Sequence, residues 1–122
     1  MSDMENIIAC TLQSGIEAHK QGKLQEAEAG YRAVLQIQPK HPDANHNLGV
    51  LAISVNKLEE ALLLFKTALE ANPNQGQFWI SYVDALIKVK QFDNAFFRKK
   101  RSLREQNTLH SVRGSHQRYL GG

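Results

Sequence analysis

The sequence predicts an all-α solenoid of stacked antiparallel helix pairs. Three observations carry that reading: the chain repeats itself every 34 residues, each period holds two stretches with helical apolar spacing, and helix-ending residues recur between them. Shifted by one period, Ala27 falls on Ala61 and Ala95, Leu35 on Leu69 and Leu103, and Leu24 on Leu58 and Phe92. Gly15 falls on Gly49, Tyr31 on Phe65, and Pro39 on Pro73. The stretches EAEAGYRAVLQIQP and EALLLFKTALEANP are near-copies in pattern.

Six helices are expected, at about 4–21, 24–37, 42–55, 58–71, 76–89 and 92–104. In 42–55, Leu48, Leu51, Ala52 and Val55 stand on one face, and in 58–71 a similar stripe runs through Leu58, Ala61, Leu62, Phe65, Ala68 and Leu69. Gly22 and Asn56 tolerate a left-handed backbone, so each can close a helix ahead of a tight turn. Pro39 and Pro73 lie just past second helices, and Pro42 stands in a first turn, where its missing N–H costs nothing. In the third period Trp79, Tyr82, Val83 and Leu86 form the stripe. The small residues Gly15, Gly49, Ala52, Ala27, Ala61 and Ala95 are placed where helices cross closely. The expected organisation is three pairs over 1–105 (about 8–39, 42–73 and a degenerate 76–105), then a basic, weakly structured tail at 106–122.

Composition excludes several classes. With 42% hydrophobic and 22% charged residues over 122 positions, the chain reads as an ordinary globular protein. No apolar run is long enough for a membrane span, and the acidic start MSDMENIIAC lacks a signal-peptide layout. One cysteine, Cys10, cannot make an internal disulfide and reads as a small buried apolar residue, so a reducing cytoplasm is the default. The net charge of +3 is uneven. Residues 1–97 hold 8 Lys+Arg against 11 Asp+Glu, a net of −3, while 98–122 hold 7 against 1, a net of +6.

No constellation for catalysis is present: no phosphate-binding glycine loop, no G-x-S-x-G, no CxxC, no HExxH. His41 and His46 are five apart and His110 and His116 six apart, so neither pair shares a helical face, and surface histidines rather than a metal site are expected. The chain reads as no enzyme, with no cofactor.

This pattern resembles the tetratricopeptide repeat (TPR) family. The middle repeat carries Leu48-Gly49, Ala52, Ala61, Phe65, Ala68 and Pro73, departing at Asn45, where a bulky residue would stand. The first keeps Gly15, Ala27, Tyr31 and Pro39, and the third keeps Trp79, Tyr82, Leu86 and Ala95. The resemblance covers about 8–97 and implies a right-handed α-solenoid whose first helices line a concave, peptide-binding groove. It then breaks: Lys99 replaces the aromatic of Tyr31 and Phe65, Asn107 replaces the closing proline, and 106–122 makes a poor capping helix. A lysine in a core slot is costly unless its stem reaches water.

The groove-facing residues are expected to be Leu12, Gln13, Ile16, His19 and Lys20 in the first repeat, and Asp43, His46, Asn47, Val50, Ile53 and Ser54 in the second. The third supplies Gln77, Ile80, Ser81, Asp84, Ile87 and Lys88. The bland alternative is a solvated face, but a row of exposed aliphatics favours a partner. In TPR proteins an asparagine matching Asn47 often bonds a peptide backbone. The set of cations that clamps chaperone tail carboxylates is not matched, since Leu12, Ile16, Gln77 and Ser81 occupy its places.

The reading is a protein–protein interaction module holding a peptide or helix of a partner, or the amino-terminal part of a larger polypeptide, such as an array preceding a transferase domain. The alternatives are a nucleic-acid-associated protein touching phosphates through the basic 98–118 segment, the less favoured partner class, and self-association through the uncapped third repeat. The run FFRKKRSLR at 96–104 could also lie on a membrane surface, or be a solvated tail.

Overall fold

The computed structural model describes residues 3–120, with side chains described for 3–99 and 101. Five helices follow one another: α1 (Asp3–Lys20), α2 (Leu24–Ile37), α3 (Pro42–Ser54), α4 (Leu58–Ala71) and α5 (Gly76–Leu120). No strand occurs among the described residues. Helix α1 pairs with α2 and α3 with α4, while α2 and α1 also touch α3, so each pair stacks on the next. Packing divides the chain into two units, residues 1–88 and 89–122.

The two tight turns are built alike. Gly22 takes φ 76° and Asn56 φ 62°. Gly22 donates its N–H to the His19 carbonyl (3.0 Å) and Lys23 to that of Ala18 (2.9 Å). Asn56 and Lys57 repeat these bonds to Ile53 (3.0 Å) and Ala52 (2.8 Å), which satisfies the last carbonyls of each helix. The expected fifth and sixth helices are one helix instead. One period after Asn56 stands Lys90, whose side chain disfavours the left-handed backbone by roughly 1–2 kcal/mol, and no other residue there stops the helix. The backbone of 106–120, expected as weakly structured, is the far part of α5.

The core of residues 1–88 is a stack of aromatic rings on glycines. Tyr31 is 1% exposed and Phe65 also 1%. A methyl group on Gly15 would meet Tyr31 Cε1 at 3.0 Å, and one on Gly49 would meet Phe65 Cε1 at 2.5 Å. Gly30, which the sequence pattern did not single out, faces Gly15 so closely that its own Cβ would stand 3.0 Å from the Gly15 Cα. Ala27 and Ala61 are buried as expected, whereas Ala95, in the second unit, is exposed. Around these contacts Leu48, Leu51 and Ala18 cluster with Ala27 and Tyr31, and Ala85 joins Ala52, Ala61 and Phe65. Val55, expected on the apolar face of α3, is 42% exposed because α3 ends at Ser54 and the backbone turns there.

Asn45 is the departure from the repeat that the structure explains. It is 3% exposed and donates from Nδ2 to the carbonyls of Pro39 (3.1 Å) and His41 (2.8 Å). One period on, the indole Nε1 of Trp79 donates to the Pro73 carbonyl (2.8 Å), so two different side chains tie the proline loop at the same place. Cys10 is exposed, not buried, because the packed part of α1 lies further along the helix, at Gly15 and Ala18.

Two outcomes follow for stability, both read by chemical denaturation. Gly49→Ala pushes a methyl into the Phe65 ring and is expected to cost about 1–3 kcal/mol, as overpacked cores do. Asn45→Ala removes the side-chain donor shared by the Pro39 and His41 carbonyls and is expected to cost about 0.5–1.5 kcal/mol.

Candidate functional site

Helices α1, α3 and the first turns of α5 present the face opposite their partner helices, and its polar centre lies between α3 and α5. His46 Nε2 and Ser81 Oγ are 2.7 Å apart, and His46 Nδ1 lies 3.3 Å from Asn47 Oδ1. Gln77 Nε2 donates to Ser81 Oγ at 3.5 Å. The neutral imidazole has one N–H, and a chain of consistent donors follows from giving it to Nδ1. Asn47 then accepts at Oδ1, and the Ser81 hydroxyl donates to Nε2 while accepting from Gln77. The Nδ2 group of Asn47 keeps both its N–H donors without a partner among the described residues.

The ring of His46 is held from below. It stacks on Phe78 at 4.7 Å between centroids and lies 5.5 Å from Phe65. Burial pushes its pKa below the ordinary histidine value, outweighing the hydrogen bond that its Nδ1–H donates to Asn47 Oδ1 and the charge of Asp43, which act the other way. His46 is therefore no surface histidine. The same holds for His41, whose Nδ1 accepts from the Ala44 N–H (3.2 Å) and caps α3, and for His19, whose Nδ1 lies 2.9 Å from the Tyr31 hydroxyl. The side chains of His110 and His116 lie outside the described residues.

The aliphatic residues divide. Val50 is 38% exposed, Ile80 63% and Ile87 50%, so these three remain open on the face. Ile53 packs against Ala52, Ala61 and Phe65, and Leu12 and Ile16 pack against the first core cluster, so these three are partly core. The polar residues at the margins largely bond one another. Gln13 donates to Glu17 (3.0 Å), Lys20 lies 3.8 Å from Glu17, Lys88 pairs with Asp84, and Ser54 donates to the Leu51 carbonyl (2.6 Å). Asp43 is exposed at the start of α3.

Pattern reasoning placed His46 and Ser81 on the groove faces of successive repeats without seeing that they bond. They are 35 residues apart, one more than the period, and adjacent first helices bring such positions together. Among the described residues no group of His, Cys, Asp or Glu is arranged to hold a metal ion, and no helix is long and apolar enough to cross a membrane. In the basic run, Arg98, Lys99 and Arg101 are exposed; most of the 98–118 side chains lie outside the described residues.

A tetratricopeptide repeat family model matches residues 18–79, about half of the chain. The chain belongs to the tetratricopeptide repeat family, a non-catalytic helical scaffold whose repeats generally mediate protein–protein interaction. It is 31% identical over 71 residues to the cellulose synthase operon protein C of Komagataeibacter xylinus, a stretch that is 58% of this chain and 6% of that protein. Its fold is similar to that of a mutant O-GlcNAc transferase of Thermobaculum terrenum, with TM-score 0.69 and 24% identity over 71% of this chain and 17% of that one. It is also similar to the C-terminal TPR-containing domain of a Plasmodium falciparum protein described as FK506-binding, with TM-score 0.69 and 26% identity. That likeness covers 75% of this chain and 60% of the other. The chain thus spans only a small part of the curated relative that it matches.

The depressed pKa of His46 makes folding pH-dependent. The unfolded chain takes up this proton near pH 6.5, the folded chain only at lower pH. This contribution to stability is complete above about pH 6.5 and is lost as pH falls, until folded His46 is itself protonated. Denaturation curves between about pH 7.5 and pH 5 should therefore fall more steeply for the wild type than for His46→Gln.

Proposed function

We propose that residues 1–88 hold an extended peptide or a helix of a partner protein on the face formed by α1, α3 and the start of α5. The observation that carries this reading is the free Nδ2 of Asn47, whose Oδ1 is held by His46, itself bonded to Ser81, on a face that also carries the exposed aliphatics Val50, Ile80 and Ile87. An unpaired amide beside exposed apolar side chains can bond a peptide main chain of any sequence while the aliphatics bury the peptide's apolar side chains.

Within this reading each named residue has a place. Val50, Ile80 and Ile87 give apolar contact; Ile53 and Ile16 support the floor from beneath. Asn47, Ser81 and Asp84 supply polar contacts, with Asp84 released from Lys88 when a peptide cation replaces it. His46 acts by positioning Asn47. Gln13, Lys20, Ser54, Gln77 and Lys88 line the margins, where contacts are solvated and weak. Contact dominated by apolar area predicts little dependence on salt.

A displayed random-peptide library panned against the whole chain tests this reading. Selected peptides should compete with one another for a single site. Their affinity should drop about tenfold on Asn47→Ala, the worth of one well-placed hydrogen bond, and further on Ile80→Asp. Peptides that bind the Asn47→Ala, Ile80→Asp double variant as tightly as the wild type would place recognition elsewhere.

A further inference from the structure

We infer that a second copy of this chain completes the third repeat, the two copies exchanging the stretch that begins at Phe92. This surface is distinct from the face assigned to peptide binding, and the inference does not depend on that assignment.

The argument starts from what covers each repeat position. In the middle repeat Asn45, Gly49 and Ala52 are buried, and α4 covers Gly49 and Ala52 through Ala61 and Phe65. One period later the same positions are Trp79, Val83 and Leu86, which are 49%, 48% and 42% exposed. The stretch that repeats α4 in sequence is also uncovered: Phe92 is 57% exposed and Phe96 56%, although Leu24, the first-repeat counterpart of Phe92, packs against the core. Both faces thus carry exposed apolar side chains.

The two halves still fit each other. Ala52 packs with Ala61 and Phe65 in one cluster, so the corresponding contacts are Leu86 with Ala95 and Lys99. On the accepting face glycine has become Val83 and alanine has become Leu86, both gains in volume. On the covering stretch the aromatic has become Lys99, a thinner side chain whose stem can lie on the apolar face while its amine reaches water. A ring facing Val83 would clash, as Phe65 would with any side chain at Gly49; a lysine stem would not. Volume has moved from one side of the contact to the other.

The turn that reverses each earlier pair has no counterpart in α5. Lys90 stands where Gly22 and Asn56 take positive φ, and it is helical. Contact between copies needs no reversal at Lys90. Charge favours the same occupant. Residues 1–88 carry 7 Lys+Arg against 10 Asp+Glu, a net of −3, and 89–122 carry 8 against 2, a net of +6, so each copy offers its basic stretch to an acidic body. Exchange is reciprocal, so a two-fold pair closes on itself and leaves no free half to build a filament.

Trp79 is the chain's one tryptophan, so it reports on this contact without labelling. Light scattering on the full chain should give twice the monomer mass at sub-millimolar concentration, and Trp79 emission should move to shorter wavelength as the dimer forms. Leu86→Asp damages the accepting face and Phe92→Asp the covering stretch. Each should be monomeric with long-wavelength emission, and because both residues are exposed, each should keep the wild-type helical circular dichroism. Mixing the two variants is the decisive step. Exchange leaves one undamaged half-interface in the mixed pair, so dimers should reappear on mixing although neither variant forms them alone. The proposal is overturned by a wild type that stays monomeric at every concentration, by a dimer that survives either substitution, or by variants that remain monomeric when mixed.

Discussion

Phe65 lies flat enough against α3 that Gly49 has no room for a Cβ, and Tyr31 lies on Gly15 in the same way. This contact sets how near the two helices of a pair approach, and the other contacts take their spacing from it. Ala27, Ala52 and Ala61 are small because they stand beside it, and Leu48 and Leu51 fill the space between one ring and the next. The rings also support the opposite face: Phe65 and Phe78 hold the imidazole of His46, which in turn holds Asn47. A glycine chosen for packing thus bears on the placement of a side-chain amide on the opposite face.

Much of this was legible in the sequence, and where it was legible the reason is local. Gly22 and Asn56 end helices through backbone preferences that belong to the residue itself, and Pro39, Pro42 and Pro73 punctuate the chain for the same kind of reason. The third repeat was misread because apolar spacing continues through 92–104 while the turn residue does not. Lys90 carries no signal of its own, and only its comparison with Gly22 and Asn56 shows what is missing. Val83 in the glycine position was overlooked for a related reason, since valine fits an apolar stripe whether or not the helix has a close neighbour.

The site was less legible than the fold. Asn47, Val50 and Ile80 could be placed on a face by counting, but Ile16 and Ile53 are half in the core, and periodicity does not distinguish a half-buried residue from an exposed one. The histidines were misjudged because their work is tertiary: His19 meets Tyr31 across a pair, and His46 meets Ser81 across two repeats. Asn45 did leave a trace. It and Trp79 share a repeat position, and although one is small and polar and the other large and aromatic, both donate an N–H to the proline loop. Chemistry at that position is kept while shape is not.

Helix α3 carries six buried residues on several sides, Ala44, Asn45, Leu48, Gly49, Leu51 and Ala52, and it touches α1, α2 and α4 directly. Helices α1 and α4 share no such contact. In a linear stack of this kind each unit is stabilised by its neighbours, and the order of loss follows position in the stack. Amide hydrogens of α1 exchange through openings of the first pair alone, while those of α3 wait for separation from its neighbours on both sides. The slowest-exchanging amides of the protein therefore belong to its middle, and Asn47 stands on the last helix to let go.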